Sequence, residues 1–230
     1  MIEAALIAGL TSMGLTPQLA GIVPTPAIAM TTRISGARFG LMVSASHNKY
    51  EDNGIKLFSP DGLKFDDQTE EALEAAMATA FDGTFAAPAM ISTPQRMAGV
   101  GDDYVRSCLA TVSSSNKIQG MKVVLDCAHG AGFEVAPEAL LHFGADLRVI
   151  GAGPDGVNIN AGCGSTDTAA LKAAVLDAGA DIGLALDGDA DRVIIVDETG
   201  TEIDGDQVMA LIVRELHATG RLKGGGMVST

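Results

Sequence analysis

Apolar positions fall into two patterns along the chain: runs of about five residues that stop abruptly at small polar loops, and longer segments with a helical spacing. The spacing predicts an amphipathic helix over 2–13, an extended piece at 19–23, a turn at the PTP of 24–26 and a helix over 27–35. A strand at 39–43 leads into the loop SASHN, after which GIKLF and GLKF, separated by SPD, read as a β-hairpin. DQTEEALEAAMATA, 67–80, is rich in helix formers, with Asp66 or Asp67 as N-cap. Residues 82–102 carry Pro, Gly and small residues without a period and form the candidate domain boundary.

Beyond it the pattern predicts helix 103–112, strand 121–126, helix 132–143, strand 146–150, a loop to about 165, helix 167–178 and strand 181–186. RVIIVDETGTEI reads as a hairpin turning at ETG, followed by helix 205–217 and a strand beginning in GMVST. Three apolar runs enter small polar loops in the same way: LMVSASHN, VVLDCAHGAG and GLALDGDADR. Strands alternating with helices, and ligands bound beyond the carboxyl ends of strands, define the expected class, α/β with mixed sheets flanked by helices. A strand that begins at the last residues predicts a piece of a longer protein.

Composition narrows the function classes. Hydrophobic residues make up 47% of the 230, and mean hydropathy is +0.26, which excludes a largely disordered chain. No apolar stretch reaches the roughly 20 residues that a membrane-spanning helix needs, and Glu3 sits in an N-terminus without a basic region, so the expectation is a cytoplasmic protein. Cys108, Cys127 and Cys163 are odd in number and lack a CxxC, and read as free thiols. Fifteen Lys and Arg against 29 Asp and Glu give a net charge of −14, which disfavours nucleic acid and anionic membrane as partners. With cations scarce, those near polar loops carry more information.

DGDADR, 187–192, sets Asp187, Asp189 and Asp191 at alternate positions, with small residues between them that let the loop curl. Three converging carboxylates repel one another unless a cation sits among them, and a hard divalent ion such as Mg²⁺ suits an all-oxygen set. An EF-hand would place Glu198 at its twelfth position, but RVIIV occupies the stretch where further ligands belong, so that reading fails. A solvated acidic turn is the bland alternative. If Ser46 carried a phosphate it could fill an open position on the metal, and the site would keep an excess charge of about −3. Arg192 and Lys56 are the available cations.

VSASHNKYEDNGIKLF (43–58), DGDADR, PDGVNINAGCGST (154–166), PTPA (24–27) and DCAHGAG (126–132) together resemble the α-D-phosphohexomutase superfamily, and the SASHN form with a downstream NIN and CGST resembles its glucosamine-specific branch. The resemblance covers nearly the whole chain. It implies repeated phosphohexomutase-type α/β domains and a cycle in which a phosphoserine gives its phosphate to a hexose monophosphate, forms a bisphosphate, and takes a phosphate back from the other hydroxyl. By that match Ser46 is the phosphoserine and a metal ligand through its phosphate, and Asp187, Asp189 and Asp191 hold Mg²⁺. Arg192 lies beside the metal loop, His47 and Lys56 lie beside the transferring phosphate, and Ser44 is a supporting hydroxyl.

The implied activity interconverts glucosamine 6-phosphate and glucosamine 1-phosphate, with a hexosamine phosphate as partner and the full-length protein a candidate homodimer. Taken alone, His47 reads as a surface or phosphate-holding residue, Lys56 as facing either solvent or the site, and His129, Asn158 and Asn160 as shaping turns. The chain departs from the family in carrying Lys49 where Pro is usual, and it lacks the ExSGH, RxSGTE and GTDGxRG segments. The expected layout is therefore the later part of domain 1 over 1–96, domain 2 over 97–203 and the opening of domain 3 over 204–230, a piece inactive on sugar by itself. The other readings are a phosphomannomutase or phosphoglucomutase, a phosphatase of the HAD type with Asp187 as nucleophile, and a non-catalytic interaction module.

Overall fold

A computed structural model describes residues 1–79, 83, 85–112 and 118–228. The first half comprises α1 (Ile2–Ser12), β1 (Gln18–Leu19), α2 (Thr25–Ser35), β2 (Gly40–Ser44), β3 (Gly54–Phe58), α3 (Asp67–Met77) and β4 (Gln95–Arg96). The second comprises α4 (Val100–Ala110), β5 (Lys122–Asp126), α5 (Val135–His142), β6 (Asp146–Ile150), α6 (Ala169–Ala178), β7 (Ile182–Leu186), β8 (Val193–Asp197), β9 (Glu202–Ile203) and α7 (Gly205–Ala218). The α/β class and the mixed sheets are as the sequence predicts.

Five strands form one sheet in the order β6-β5-β7-β8-β9, with β6, β5 and β7 parallel and β8 and β9 antiparallel. β5 is the most deeply buried: Val123, Val124 and Leu125 are at most 2% exposed, because both faces of this central strand are covered. Val124 packs with Leu171, Ala174 and Val175 of α6 and with Ala185 and Val196 of the neighbouring strands. The chain leaves β5 toward β6 on one side and returns to β7 on the other. That reversal puts the carboxyl ends of β5 and β7 side by side, at the switch point where open α/β sheets bind ligands.

The first half departs most from expectation. GIKLF pairs with the preceding strand, antiparallel from Gly40 opposite Phe58 to Ser44 opposite Gly54, so the serine loop is itself a hairpin connection. The expected GIKLF–GLKF hairpin survives as a single bridge, Phe58 to Lys64. β1 and β4 make a two-residue parallel pair, which gives strand structure to the stretch read as periodless. Helix α2 starts at Thr25, two residues early, because Pro26 at its first turn needs no donated N–H. Asp66 caps α3 by accepting from the Thr69 N–H at 2.7 Å; residue 80, expected at its end, lies outside the described residues. Residues 226–228 carry no strand, and 229–230 of the expected strand lie outside the described residues.

Two small apolar clusters join the halves. Val23 and Ala27 pack on Val100, and Met42 and Phe58 pack on Ala131. α7 opens with a capping box between Asp204 and Gln207 and has no buried residue. Among the described residues no helix is long and apolar enough to cross a membrane.

Candidate active site

The loop after β7 is wound tightly on its own backbone. Asp187 Oδ1 accepts the N–H groups of Asp191 and Arg192 at 3.1 and 3.2 Å, and the Ala190 N–H donates to the Asp187 carbonyl at 3.1 Å. Ala190 closes the turn in the left-handed region, φ 55. The other oxygen, Asp187 Oδ2, is buried and has no hydrogen-bond partner. An orphaned buried acceptor costs about 1–3 kcal/mol, more when charged. One oxygen from each of Asp187, Asp189 and Asp191 lies within 4.8 Å of the others, with the first two fully buried and the third exposed. An all-oxygen donor set with an unsatisfied member fits a hard cation, so the three residues could hold a metal ion.

Burial, then the neighbouring Asp189 charge, pushes the Asp187 carboxyl up to about 7. Burial pushes Asp189 up as well, but hydrogen bonds from Lys56 and Thr25 and the Lys56 charge outweigh it and hold Asp189 below the usual carboxylate value.

The serine loop reaches this cradle from the first half. Ser46 sits at φ 53, its N–H donates to Ser44 Oγ at 2.8 Å, and the Asn48 N–H donates to the Ala45 carbonyl at 2.9 Å. The Ser46 hydroxyl thereby lies 3.3 Å from Asp189 Oδ1, to which it donates. Lys56 is paired opposite Met42, so its side chain leaves the hairpin on the face that carries Met42 and Phe58 into the molecule. Its ammonium donates to Asp189 Oδ2 at 2.5 Å and lies 3.7 Å from Asp191 Oδ2. Strand alternation left two faces open for Lys56, and the inward one is occupied.

Ser46, Lys56 and the three aspartates therefore converge. Arg192 is more peripheral: its Nε is 3.7 Å from Asp191 Oδ1 and the side chain is largely exposed. His47 is exposed and makes no hydrogen bond or ion pair among the described residues. His129 shapes its turn as expected, at φ 49, with Nδ1 accepting the Gly153 N–H at 3.2 Å.

Four groups of contacts escaped sequence reasoning. Thr25 donates its hydroxyl to Asp189 Oδ2 at 2.6 Å and its N–H to the Asp189 carbonyl at 3.0 Å. Asn160 donates to two carbonyls of the serine loop. Asp126, fully buried, accepts from the N–H groups of Ala128 and Gly164 at 2.9 and 2.8 Å and so joins the loop after β5 to the CGST segment. Gly130 and Gly188 let backbones touch: a Cβ on Gly130 would lie 2.2 Å from the Gly188 carbonyl oxygen, and one on Gly188 would lie 2.6 Å from that of Ser46. PTP before a helix and Asn in a Gly-rich stretch were visible signals, yet neither names a distant partner.

A groove of about 1120 Å³ borders the serine loop at Ser44 and Ala45 and the metal loop at Gly188, but Ser46 and the three aspartates are not among its lining residues.

Comparison with known proteins gives a consistent result. Residues 1–83 match the profile described as phosphoglucomutase/phosphomannomutase, alpha/beta/alpha domain I, and residues 102–200 match that of domain II. A phosphoglucosamine mutase of Hyphomonas neptunium is 68% identical over all 230 residues, which span 51% of that protein. The chain spans about half the length of the curated relatives it matches. Among solved structures, a phosphoglucomutase/phosphomannomutase family protein of Burkholderia thailandensis superposes with a TM-score of 0.71 at 23% identity, over 95% of this chain and 48% of that one. An Aspergillus fumigatus N-acetylphosphoglucosamine mutase in complex with GlcNAc-6P and magnesium gives 0.50 at 18% identity, over 86% of this chain and 53% of that one. At these identities the structural likeness speaks for the fold.

Proposed function

We propose, because the chain belongs to the phosphoglucomutase/phosphomannomutase family, that it carries the phosphoserine and metal-binding parts of a phosphoglucosamine mutase. The observation that carries this reading is the meeting of the Ser46 hydroxyl, 3.3 Å from Asp189 Oδ1, with Lys56 on the other oxygen of the same carboxylate. A hydroxyl delivered in a strained turn to a buried acidic cradle has no need of that geometry as a surface residue.

In the proposed reaction Ser46 is carried phosphorylated. The phosphoryl group leaves Ser46 Oγ for the free hydroxyl of a hexosamine monophosphate: the P–Oγ bond breaks, a P–O bond to the sugar forms, the sugar hydroxyl loses its proton and the serine oxygen gains one. The sugar bisphosphate reorients, and the same exchange run backward from the other phosphate returns a monophosphate and the phosphoserine. Transfer of this kind depends on positioning and on neutralising charge spread over the phosphoryl oxygens. Lys56 brings an ammonium between Asp189 and Asp191, Arg192 adds positive charge at the exposed rim, and His47, exposed and next to Ser46 in the chain, is the proposed donor to a phosphate or sugar. Asp187, Asp189 and Asp191 would hold Mg²⁺, which supplies Lewis-acid charge to the phosphoryl oxygens when bound.

The substrate pair in this reading is glucosamine 6-phosphate and glucosamine 1-phosphate, handled in the cytoplasm by a full-length protein that is a candidate homodimer. The division at 96/97 and 203/204 belongs to the same proposal, supported by β4 closing back on β1 and by α7 lacking buried residues.

Intact mass with peptide mapping, after incubation with a hexose 1,6-bisphosphate and Mg²⁺, tests it. One added phosphate on the Ser46 peptide, absent from Ser46→Ala, is the expected result. Phosphate on Asp187 favours a HAD-type phosphatase, and no phosphate together with no Mg²⁺-dependent change in melting favours a non-catalytic module.

A further inference from the structure

Asn160 lies in the NIN segment between β6 and α6, a stretch with no obvious link to the serine loop 114 residues earlier. Its backbone is left-handed, φ 54, and its N–H donates to the Ala128 carbonyl at 2.9 Å, which ties it to the turn after β5. The residue is 5% exposed and its side chain reaches across to the other half, where Nδ2 donates to the Ser46 carbonyl at 2.8 Å and to the Asn48 carbonyl at 2.7 Å. Two carbonyl acceptors fix which end of the amide faces the loop, since the reversed amide would set oxygen against oxygen. The remaining Oδ1 is buried without a partner, so the residue keeps one acceptor unsatisfied while it makes these two bonds.

The geometry points to Asn160 as a positioning residue for Ser46. This rests on the phosphoserine reading and adds the device that aims the serine. Ser46 holds a left-handed conformation that a residue with a Cβ adopts only under constraint. Its carbonyl is confined between the Asn160 amide and Gly188, where a Cβ would come within 2.6 Å of the oxygen. Holding that carbonyl fixes the peptide plane after Ser46, and with it the direction in which Cβ and Oγ leave the backbone toward Asp189. Asn160 bonds the carbonyls on either side of His47, so it clamps the loop without occupying the place of phosphate or sugar. Without the amide the Ser46 carbonyl loses its anchor, the Ser46 backbone is free to leave the left-handed region, and Oγ swings away from the metal loop. The metal loop satisfies Asp187 Oδ1 from its own backbone and does not depend on Asn160.

Asn160→Gly keeps the left-handed backbone and deletes the donors, while Asn160→Asp keeps the shape and replaces the donors by an oxygen. Three readouts on each full 230-residue variant separate the outcomes: phosphate uptake on Ser46 from glucose 1,6-bisphosphate, Mg²⁺ affinity by titration calorimetry, and hydrogen exchange of the peptide spanning 44–53. Uptake about tenfold slower, as expected for losing one or two buried hydrogen bonds, with faster exchange in 44–53 and Mg²⁺ affinity within about twofold of wild type, is the expected result. Uptake at the wild-type rate in either variant overturns the proposal, and so does Mg²⁺ affinity lost in step with uptake, which is the mark of a merely structural residue. Should the wild type itself take up no phosphate, or Ser46→Ala take up as much, the phosphoserine reading fails. The exchange of 44–53 then decides alone, and unchanged exchange in the variants overturns the clamp.

Discussion

Replacing Lys56 by methionine removes the ammonium and keeps the aliphatic stem beside Met42 and Phe58. At 2.5 Å from Asp189 Oδ2 the gross attraction is roughly 7 kcal/mol at an effective dielectric of 20. Most of that repays desolvation, and the measured cost of stripping one partner from a buried pair is about 3–5 kcal/mol. Two features reduce it here: the Lys56 side chain is 27% exposed, and Thr25 still donates to the same oxygen. A loss of about 2 kcal/mol in metal-free protein is therefore expected, a fall in Tm of about 4–8 °C for a chain this long. Because the folded state holds Asp189 below its usual value, the stability that Lys56 provides is present above the unfolded pKa near 3.8 and is lost as pH falls through the lower folded pKa. The variant's deficit should be complete at pH 7 and vanish in acid. Without the competing ammonium the variant should bind Mg²⁺ more tightly than wild type, and a Kd about tenfold lower would offset about 1.4 kcal/mol at saturation, leaving a deficit of less than about 1 kcal/mol. Calorimetric unfolding at pH 7 in EDTA and in Mg²⁺, together with a metal-free series descending from pH 4 to pH 2, checks these expectations. An unchanged Tm in EDTA, or a deficit that Mg²⁺ leaves intact, refutes them.

Asp187 gives the opposite pH signature: with its folded value raised to about 7 against 3.8 unfolded, the metal-free native state keeps a proton that the unfolded chain has lost. Stability should fall as pH rises from 4 to 7, by at most about 4 kcal/mol, and Asp187→Asn should flatten the slope in urea titrations; a slope that persists sinks the assignment. Thr25→Val deletes the hydroxyl donor to Asp189 while keeping the N–H bond to its carbonyl, and should cost about 1.5–3 kcal/mol in chemical unfolding, with Thr25→Ser near wild type. Gly188→Ala drives a Cβ against the Ser46 carbonyl at 2.6 Å and Ile159 Cδ1 at 2.5 Å, and should cost about 1–3 kcal/mol and lower Ser46 phosphate uptake; wild-type melting and uptake together would contradict the close approach.

What the sequence made legible was local. Five-residue apolar runs followed by or ending in Ser or Asp located β2, β5 and β7 to within a residue, because strands with buried or half-buried positions on both faces leave little room for polar side chains until the loop begins. Asp187, Asp189 and Asp191 could be grouped because alternate positions in a tight turn fall together whatever surrounds them. Pairings were not legible. β1 and β4 are two residues long, too short for any period, and their paired residues lie 77 positions apart. GIKLF had an adjacent candidate partner in GLKF, and only packing of Met42 and Phe58 on Ala131 selects the strand before the loop instead. Thr25 and Asn160 reach partners 164 and 114 residues away, and no local pattern encodes such distances.

Asp126 and Asp189 show how the site depends on the two halves meeting. Both are fully buried aspartates at or beyond the ends of neighbouring strands. Asp126 spends both oxygens on N–H groups of its own half, Ala128 and Gly164, and so stabilises the second half whether or not the first is docked. Asp189 takes donors from the first half on both oxygens: Ser46 on one, Lys56 and Thr25 on the other. Undocked, that carboxylate would be hydrated at little cost; docked in a wrong register it would be a buried charge without a partner, a state several kcal/mol uphill. The same carboxylate thus penalises misplacement of the serine hairpin and, through Ser46, records correct placement. A chain with a net charge of −14 gains specificity from spending Lys56 there, because few other cations exist to mimic the pair.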